Sequence, residues 1–150
     1  MLVRDIMSTC IAECTEDTPL DRVYGAMQNC GHNIVIVVEG KYHRTPIGVI
    51  TGNTILEQII GKGRDPKGLL AGNVMTSKVA KISDSASVSQ CPEISGAGEN
   101  GLPLIVVDDQ RALCGIVTRE VLRLARAEHV IHHGARQAPK MPEQVSSWTQ

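Results

Sequence analysis

Two threonines occupy equivalent positions in a repeated segment, and their surroundings suit the binding of an anion. Thr51 and Thr118 each close a motif of glycine, two apolar residues and threonine, at a separation of 118 − 51 = 67 residues. Each motif ends an apolar, β-branched run and leads directly into a helical pattern. Backbone N–H groups point outward at the start of a helix and favour a negative charge there. The sequence therefore predicts two related anion sites, with the alternative that each threonine only caps its helix.

The repeat extends well upstream of the two threonines. Asp5–Met7 matches Asn73–Met75 at a step of 75 − 7 = 68 residues, and Ile36–Val38 matches Leu104–Val106 at the same step. The change of step from 68 to 67 predicts a one-residue insertion or deletion in the turn after the second strand. These ordered matches indicate a duplicated unit of roughly sixty residues, here called copy one and copy two.

Each copy is predicted to fold in the order β-α-β-β-α, which makes the fold class α+β. The first two strands flank a helix and should be parallel, whereas a short turn makes the second and third antiparallel. Both helices should cover one face of this sheet, and the two sheets should bury their other faces against each other about a pseudo-twofold axis. The first helix of copy two should be short or bent, because Pro92 removes an N–H donor inside it. Predicted strands span 11–14, 33–39, 46–51, 78–82, 102–107 and 113–118, and predicted helices span 20–30, 52–60, 87–94 and 119–126 or beyond.

Length and composition bound the classes of function. With 42% hydrophobic and 21% charged residues, the 150-residue chain has the composition of a soluble globular protein. A net charge of −1 and the absence of Phe give no basis for binding nucleic acid. No apolar run approaches the roughly 20 residues of a membrane span, and no signal-peptide pattern is present, so a cytoplasmic location is predicted. The predicted units are repeat one at 1–63, a linker at 64–72, repeat two at 73–127 and a polar tail at 128–150.

The five cysteines include no C-x-x-C pair. Cys30, Cys91 and Cys114 fall on apolar phases, so we interpret them as core residues in a reducing compartment. Cys10 and Cys14 lie close to the predicted site, where a reactive thiol remains the alternative.

A histidine cluster is the other candidate for chemistry. His129, His132 and His133 have the spacing with which a helix meets a metal ion. No cysteine or carboxylate cluster joins them, so we interpret them as part of the solvated tail, and no metal site is predicted. No Ser-His-Asp, paired-carboxylate or phosphate-loop arrangement has supporting context, and no enzyme is predicted.

Taken in order, these motifs resemble those of a tandem cystathionine β-synthase (CBS) domain pair over about residues 1–127. The resemblance implies a regulatory, non-catalytic module that binds adenosine-type nucleotides in clefts between the repeats. It also implies that two modules associate into a flat, disc-shaped homodimer. The residues that carry it are Asp5–Ser8, Asp17–Leu20, Gly48–Thr51, Asn73–Thr76, Gly101–Leu104 and Gly115–Thr118.

The resemblance also assigns ligand contacts. In the family the motif threonine holds a phosphate, an aspartate three residues later holds the ribose hydroxyls, and the start of the middle strand reads the adenine edge. This chain has Thr54 and Val121 at the aspartate positions. A lost charge-assisted hydrogen bond costs about 1.5–3 kcal/mol, or about ten- to a hundredfold in affinity. The predicted ligand-binding residues are Cys14, Asn33, Ile34, Val35, Thr51, Asn53, Thr54, Lys81, Ile82, Leu102, Pro103, Thr118 and Arg119.

The leading hypothesis is a homodimeric sensor without a cofactor. It would bind AMP, ADP, ATP or S-adenosylmethionine and signal to an unknown protein partner by population shift. Thr54 gives copy one the better polar substitute, whereas Lys81 and Arg119 give copy two cations for a phosphate. A ligand-free dimeric scaffold with decayed sites is the second hypothesis. A thiol or metal enzyme that uses Cys10, Cys14 and the histidines is the third.

Overall fold

The computed structural model describes two three-stranded sheets with short helices packed on them. It covers residues 1–30, 33–40, 43–92 and 102–133, with the backbone alone at 129–133. The strands are β1 (Ala12–Cys14), β2 (Ile34–Glu39), β3 (Thr45–Thr51), β4 (Lys81–Ser83), β5 (Leu104–Val107) and β6 (Leu113–Val117). The helices are α1 (Val3–Ile6), α2 (Leu20–Cys30), α3 (Gly52–Leu56), α4 (Ala71–Val74) and α5 (Arg119–His133).

The strand pairing confirms the predicted topology in both copies. The sheet orders are β1-β2-β3 and β4-β5-β6. In each sheet the first two strands are parallel and the last two antiparallel. Tight hairpins leave the second and third strands no other arrangement, and the helical crossover makes the first two parallel.

The strand register corrects the match proposed for the second strands. Ile36 pairs with Val49, and Ile105 pairs with Ile116. Because the third strands correspond at 116 − 49 = 67, Ile36 corresponds to Ile105, at a step of 105 − 36 = 69 rather than 68. The predicted match of Ile36 with Leu104 was therefore wrong by one residue. The hairpin of copy two is shorter by 69 − 67 = 2 residues, not one. A one-residue slip turns every side chain to the other face of a sheet, so the register decides which residues meet.

The first helices of the two copies differ in length. In copy one α2 runs for 11 residues and buries Leu20, Val23 and Met27 at three- and four-residue steps, as predicted. In copy two the described part of the predicted helix is a single 3₁₀ turn at Val88–Gln90, as expected for a short or bent helix. The remainder of that prediction, after Pro92, lies outside the described residues, as do Gly31 and Gly101.

The second helices also differ. In copy one α3 continues into one π-helical turn at Glu57–Gly61. In copy two α5 runs for 15 residues to His133, so residues 128–133, assigned to the tail, continue the helix. No helix in the described part of the chain is long and apolar enough to cross a lipid bilayer.

Three buried clusters form the core, and one of them joins the copies. The joining cluster lies between the sheets, as predicted from their apolar faces. The other two lie under the helices of copy one and of copy two. The buried members of the joining cluster are Ile36, Val38, Val49, Ile105, Leu113 and Ile116.

The segment that precedes each copy packs on the other copy. Ser8 exchanges backbone hydrogen bonds with Ile116 of β6, at 2.8 and 3.0 Å. Thr76 likewise exchanges hydrogen bonds with Val49 of β3, at 3.0 and 2.9 Å. Val3 of α1 is fully buried in the copy-two core. The repeats are thus interlocked by their lead-in segments as well as by their sheets.

Two glycine–methionine contacts fix these lead-in segments. A Cβ built on Gly48 would lie 2.5 Å from the sulfur of Met75, and one built on Gly115 would lie 2.5 Å from that of Met7. Such separations leave no space for a side chain. The glycine of each G-h-h-T motif is therefore required where a strand receives the methionine of the opposing lead-in segment.

A disulfide between Cys10 and Cys30 corrects the interpretation of Cys30 as a core thiol. The two residues are 20 apart in sequence, and their Cα atoms are 5.6 Å apart, a usual disulfide separation. Cys30 lies on the last turn of α2, whose C-terminal end faces the segment just before β1. The helical phase correctly placed Cys30 toward the protein, but the contact there is with Cys10.

Candidate functional site

The copy-one threonines lie at the end of β3, beside the start of β2. Thr51 Oγ1 accepts a hydrogen bond from the Thr54 backbone N–H at 3.3 Å, and the two hydroxyl oxygens are 3.2 Å apart. The Gly52 N–H donates to the Asn33 carbonyl oxygen at 3.0 Å. A Cβ built on Gly52 would lie 3.5 Å from the Asn33 side chain. The structure thus brings together Asn33, Thr51 and Thr54, three of the residues predicted from sequence.

The hydroxyl pair retains hydrogen-bonding capacity after capping the helix. A hydroxyl carries one proton and two lone pairs, so accepting one N–H leaves Thr51 able to donate its proton. Thr51 and Thr54 are half-buried, and Asn33 and Asn53 are exposed. Ile34 pairs with Thr51 across the sheet, which places the start of β2 at the same edge. This edge presents hydroxyl and amide groups to solvent and is here called the copy-one edge.

The copy-two threonine has less polar surroundings. Thr118 Oγ1 accepts from the Val121 backbone N–H at 3.3 Å, the same capping bond as in copy one. Val121, in place of a second hydroxyl, is 38% exposed. Arg119 is exposed beside it and supplies the only charge among the predicted copy-two residues that follow β6. Pro103 is buried and Leu102 half-buried at the start of β5.

The predicted residues on the first strands divide between core and surface. Cys14 packs in the copy-one core, as does Val35 of β2. Burial raises the pKa of the Cys14 thiol to about 11, against a lowering effect of its hydrogen bond with Thr18. In copy two, Lys81 is exposed and Ile82 is half-buried against the copy-two core. Cys14 and Val35 therefore have core side chains, whereas Lys81 is available to a ligand.

Neither a reactive thiol nor a metal centre emerges from the described residues. Cys10 is bonded to Cys30, and Cys14 is buried and protonated at neutral pH. Burial also raises the pKa values of Cys91 and Cys114. Within the described ranges no three His, Cys, Asp or Glu side chains converge to hold a metal ion. The side chains of His129, His132 and His133 lie outside the described residues, so the metal alternative rests on their spacing alone.

Sequence reasoning missed two polar contacts beside the first strand of copy one. One is the Cys10–Cys30 disulfide, for which the odd cysteine count gave no signal. The other is a bidentate ion pair, in which Arg44 Nε lies 3.0 Å from Glu13 Oε1 and Arg44 Nη2 lies 2.7 Å from Glu13 Oε2. The two residues are 31 apart in sequence, and only the sheet brings them together.

A model of the CBS domain matches this chain twice, at residues 3–61 and 71–128. Among characterised sequences, an uncharacterized protein of Methanopyrus kandleri is 28% identical over 95 residues, which are 63% of this chain. Those residues are 46% of that protein, so the chain spans about half the length of the curated relative it matches.

Two solved structures show the same fold. CBSX2, a CBS-pair protein of Arabidopsis thaliana crystallised in complex with AMP, has a TM-score of 0.63 and 21% identity, with coverage of 85% of this chain and 96% of CBSX2. The CBS domain pair of protein MJ0100, in complex with 5′-methylthioadenosine and S-adenosyl-L-methionine, has a TM-score of 0.65 and 20% identity. The alignment covers 84% of this chain and 99% of that one.

Proposed function

Because the chain belongs to the CBS domain family, we propose that it is a regulatory module that senses an adenine nucleotide or a related metabolite. CBS-pair domains are typically regulatory rather than catalytic. Two structures of the same fold were crystallised with AMP, or with 5′-methylthioadenosine and S-adenosyl-L-methionine. We propose AMP, ADP, ATP and S-adenosylmethionine as the ligands to test, without a cofactor or a catalytic step.

The observation that carries the proposal is the hydroxyl pair at the copy-one edge. Thr51 Oγ1 and Thr54 Oγ1 lie 3.2 Å apart and both retain hydrogen-bonding capacity. Asn33 adds an exposed amide at the same edge. Uncharged donors suit a phosphate oxygen or a ribose hydroxyl, although they bind more weakly than a carboxylate or guanidinium. We therefore assign the principal site to copy one, with Lys81 and Arg119 as the phosphate partners of a weaker copy-two site.

Signalling would follow from population shift. A ligand that contacts both interlocked repeats favours the arrangement it binds best, by its differential affinity for the two arrangements. A homodimer would pass that arrangement to a protein partner across its surface. We propose a cytoplasmic location, in which adenine nucleotides are available as ligands.

The second candidate function is a ligand-free dimeric scaffold. Both motif threonines already cap their helices, and neither copy has a carboxylate at the ribose position. Val121 cannot hydrogen-bond through its side chain. In that case the clefts would be inactive, and the dimer surface alone would carry the function.

Thermal unfolding with each of the four ligands separates the two functions. A ligand that binds only the folded state stabilises it by about 2.7 kcal/mol at a hundredfold excess over its Kd, so the midpoint should rise. Thr51→Ala should abolish most of this rise, while Thr51→Ser, which keeps the hydroxyl, should retain it. Thr118→Ala should leave most of the rise intact. No rise with any ligand at millimolar concentration would reject the sensor in favour of the scaffold.

A further inference from the structure

The Cys10–Cys30 disulfide lies at the edge of the sheet that also carries the copy-one hydroxyls. Cys10 comes two residues before β1, and Cys30 comes three residues before Asn33. β1 and β2 are parallel and β3 is antiparallel to β2, so the starts of β1 and β2 and the end of β3 share one edge. The disulfide therefore crosslinks two of the three chain segments that meet at the copy-one edge.

The same disulfide connects the two copies mechanically. Two residues before Cys10, Ser8 is hydrogen-bonded in both directions to Ile116 of copy two. Further upstream, Met7 packs on Gly115 of copy two. Cys30 belongs to α2, which packs on the sheet of copy one. A segment anchored on copy two is thus tied covalently to a helix of copy one.

Copy two has no such crosslink in the described residues. First-strand positions correspond at a step of 68, as in the pairing of Glu13 with Ile36 and of Lys81 with Ile105. The position equivalent to Cys10 is then 10 + 68 = 78, which is Lys78. The tie is therefore specific to the copy-one edge, and it is not a general requirement of the duplicated fold.

We infer that the Cys10–Cys30 disulfide is a redox-sensitive tie that strengthens ligand binding at the copy-one edge when closed. The inference rests on the proposed function, since it concerns the same site. When the tie is closed, it limits the motion of α2 relative to the segment anchored on copy two. When it is open, that motion is released next to Asn33 and the hydroxyl pair. A site that must then be ordered by the ligand binds it more weakly.

The chemistry of opening is thiol–disulfide exchange with a dithiol. One thiolate of the dithiol attacks Sγ of Cys10, which is exposed, and Cys30 leaves as a thiolate that takes up a proton. The second thiol of the reductant then attacks the mixed disulfide and releases Cys10. One disulfide is broken in the protein and one forms in the reductant, with the transfer of two electrons and two protons. Disulfides in cytoplasmic proteins are typically redox-sensing, which agrees with the proposed location.

Amide hydrogen exchange tests the tie without any ligand. The full-length protein is compared oxidised and after reduction with dithiothreitol. We expect the Gly52 and Thr54 amides, which donate to Asn33 and Thr51, to exchange about tenfold faster in the reduced protein. The Val121 and Leu122 amides of copy two should change little. Unchanged exchange in copy one, or equal acceleration in both copies, would overturn the inference.

Calorimetric titration with AMP then tests the consequence for binding. Reduction should weaken binding by about tenfold, the cost of ordering a few released side chains. A Cys10→Ser/Cys30→Ser variant should bind like the reduced protein and should not respond to dithiothreitol, whereas Cys114→Ser should respond like the parent. Equal affinity in both redox states would overturn the inference and leave the sensor intact. Absence of AMP binding in both states would count against the sensor, and the exchange measurement would still decide the tie.

Discussion

Copy one and copy two share a sheet but differ in what is packed around it. Both sheets have the same strand order, and both hairpins carry a register shift at equivalent points, Val37/Val38 and Val106/Val107. Both receive a methionine of the opposing lead-in segment on a glycine. The first helices, in contrast, are an 11-residue α-helix in copy one and a 3₁₀ turn in the described part of copy two. The features that contact both copies are thus the features that remain alike.

The hairpin turns show how the copies have diverged at the surface. Arg44 and Arg111 both adopt positive φ, at 45° and 66°. Arg44 forms its bidentate pair with Glu13, whereas Lys81 stands at the position of Glu13 in copy two, since 81 − 13 = 68. Arg111 therefore faces no equivalent carboxylate on that strand. The backbone of the turn is retained while its charge pairing is not, because only the backbone is needed to close the hairpin.

The largest effect should come from the cluster between the sheets, where the copies are equivalent. Ile36→Ala and Ile105→Ala each empty a fully buried site and should each lower the free energy of unfolding by about 2–5 kcal/mol. Urea denaturation measures both. Ile60→Ala, at a side chain that is 75% exposed, should change stability by less than about 0.5 kcal/mol. A small cost at only one of the two buried positions would contradict the pseudo-twofold core.

A smaller loss is expected at the glycine–methionine contacts. Gly48→Ala and Gly115→Ala should each destabilise the protein by about 1–3 kcal/mol, because the new methyl group overlaps a methionine side chain. Gly25→Ala is the control, since a Cβ there meets no atom within 4 Å and should be neutral or stabilising. In a double-mutant cycle, Met75→Ala should relieve part of the Gly48→Ala penalty. Independent, additive penalties would show that the methionine contact is not the cause.

The helix caps come next and should be nearly equal in the two copies. Thr51→Ala and Thr118→Ala each remove a hydroxyl that accepts a backbone N–H, and should cost about 1 kcal/mol each without ligand. Thr51→Ser and Thr118→Ser should cost less, because serine caps as well as threonine. Chemical denaturation gives these values, and only Thr51→Ala should also lose the ligand response. Equal loss of that response in both variants would remove the distinction between the two sites.

The smallest effect separates Cys14 from its copy-two equivalent, Ile82, at 14 + 68 = 82. Burial raises the pKa of Cys14 from 9.0 to about 11, so the folded protein holds this proton more tightly than the unfolded chain. Stability from this group should therefore be complete below pH 9 and fall as the pH rises from 9 towards 11. The difference in unfolding free energy between the parent and Cys14→Ala should change over this range and stay constant below it. A constant difference up to pH 11 would mean that the thiol is accessible to solvent.

Local patterns were enough to predict the strand order and the placement of the motif threonines. Apolar runs closed by short turns have few alternatives, so β2 and β3 could be paired from sequence alone. The register of β5 could not, because its continuous apolar run reads equally well when shifted by one residue. The candidate site was predicted in part, since Thr51 and Thr54 are local neighbours. The approach of Asn33 to Gly52 depends on strand pairing between residues that are distant in the chain.

By itself, the sequence determined that this protein is a duplicated unit, because equivalent residues recur in order at nearly one spacing. It also determined that two hydroxyls end equivalent strands. Only the tertiary structure decided that each lead-in segment packs on the opposite copy and that Cys10 meets Cys30. The physical reason is that periodicity records which face of an element is apolar, whereas the partner of that face is set by packing between distant segments.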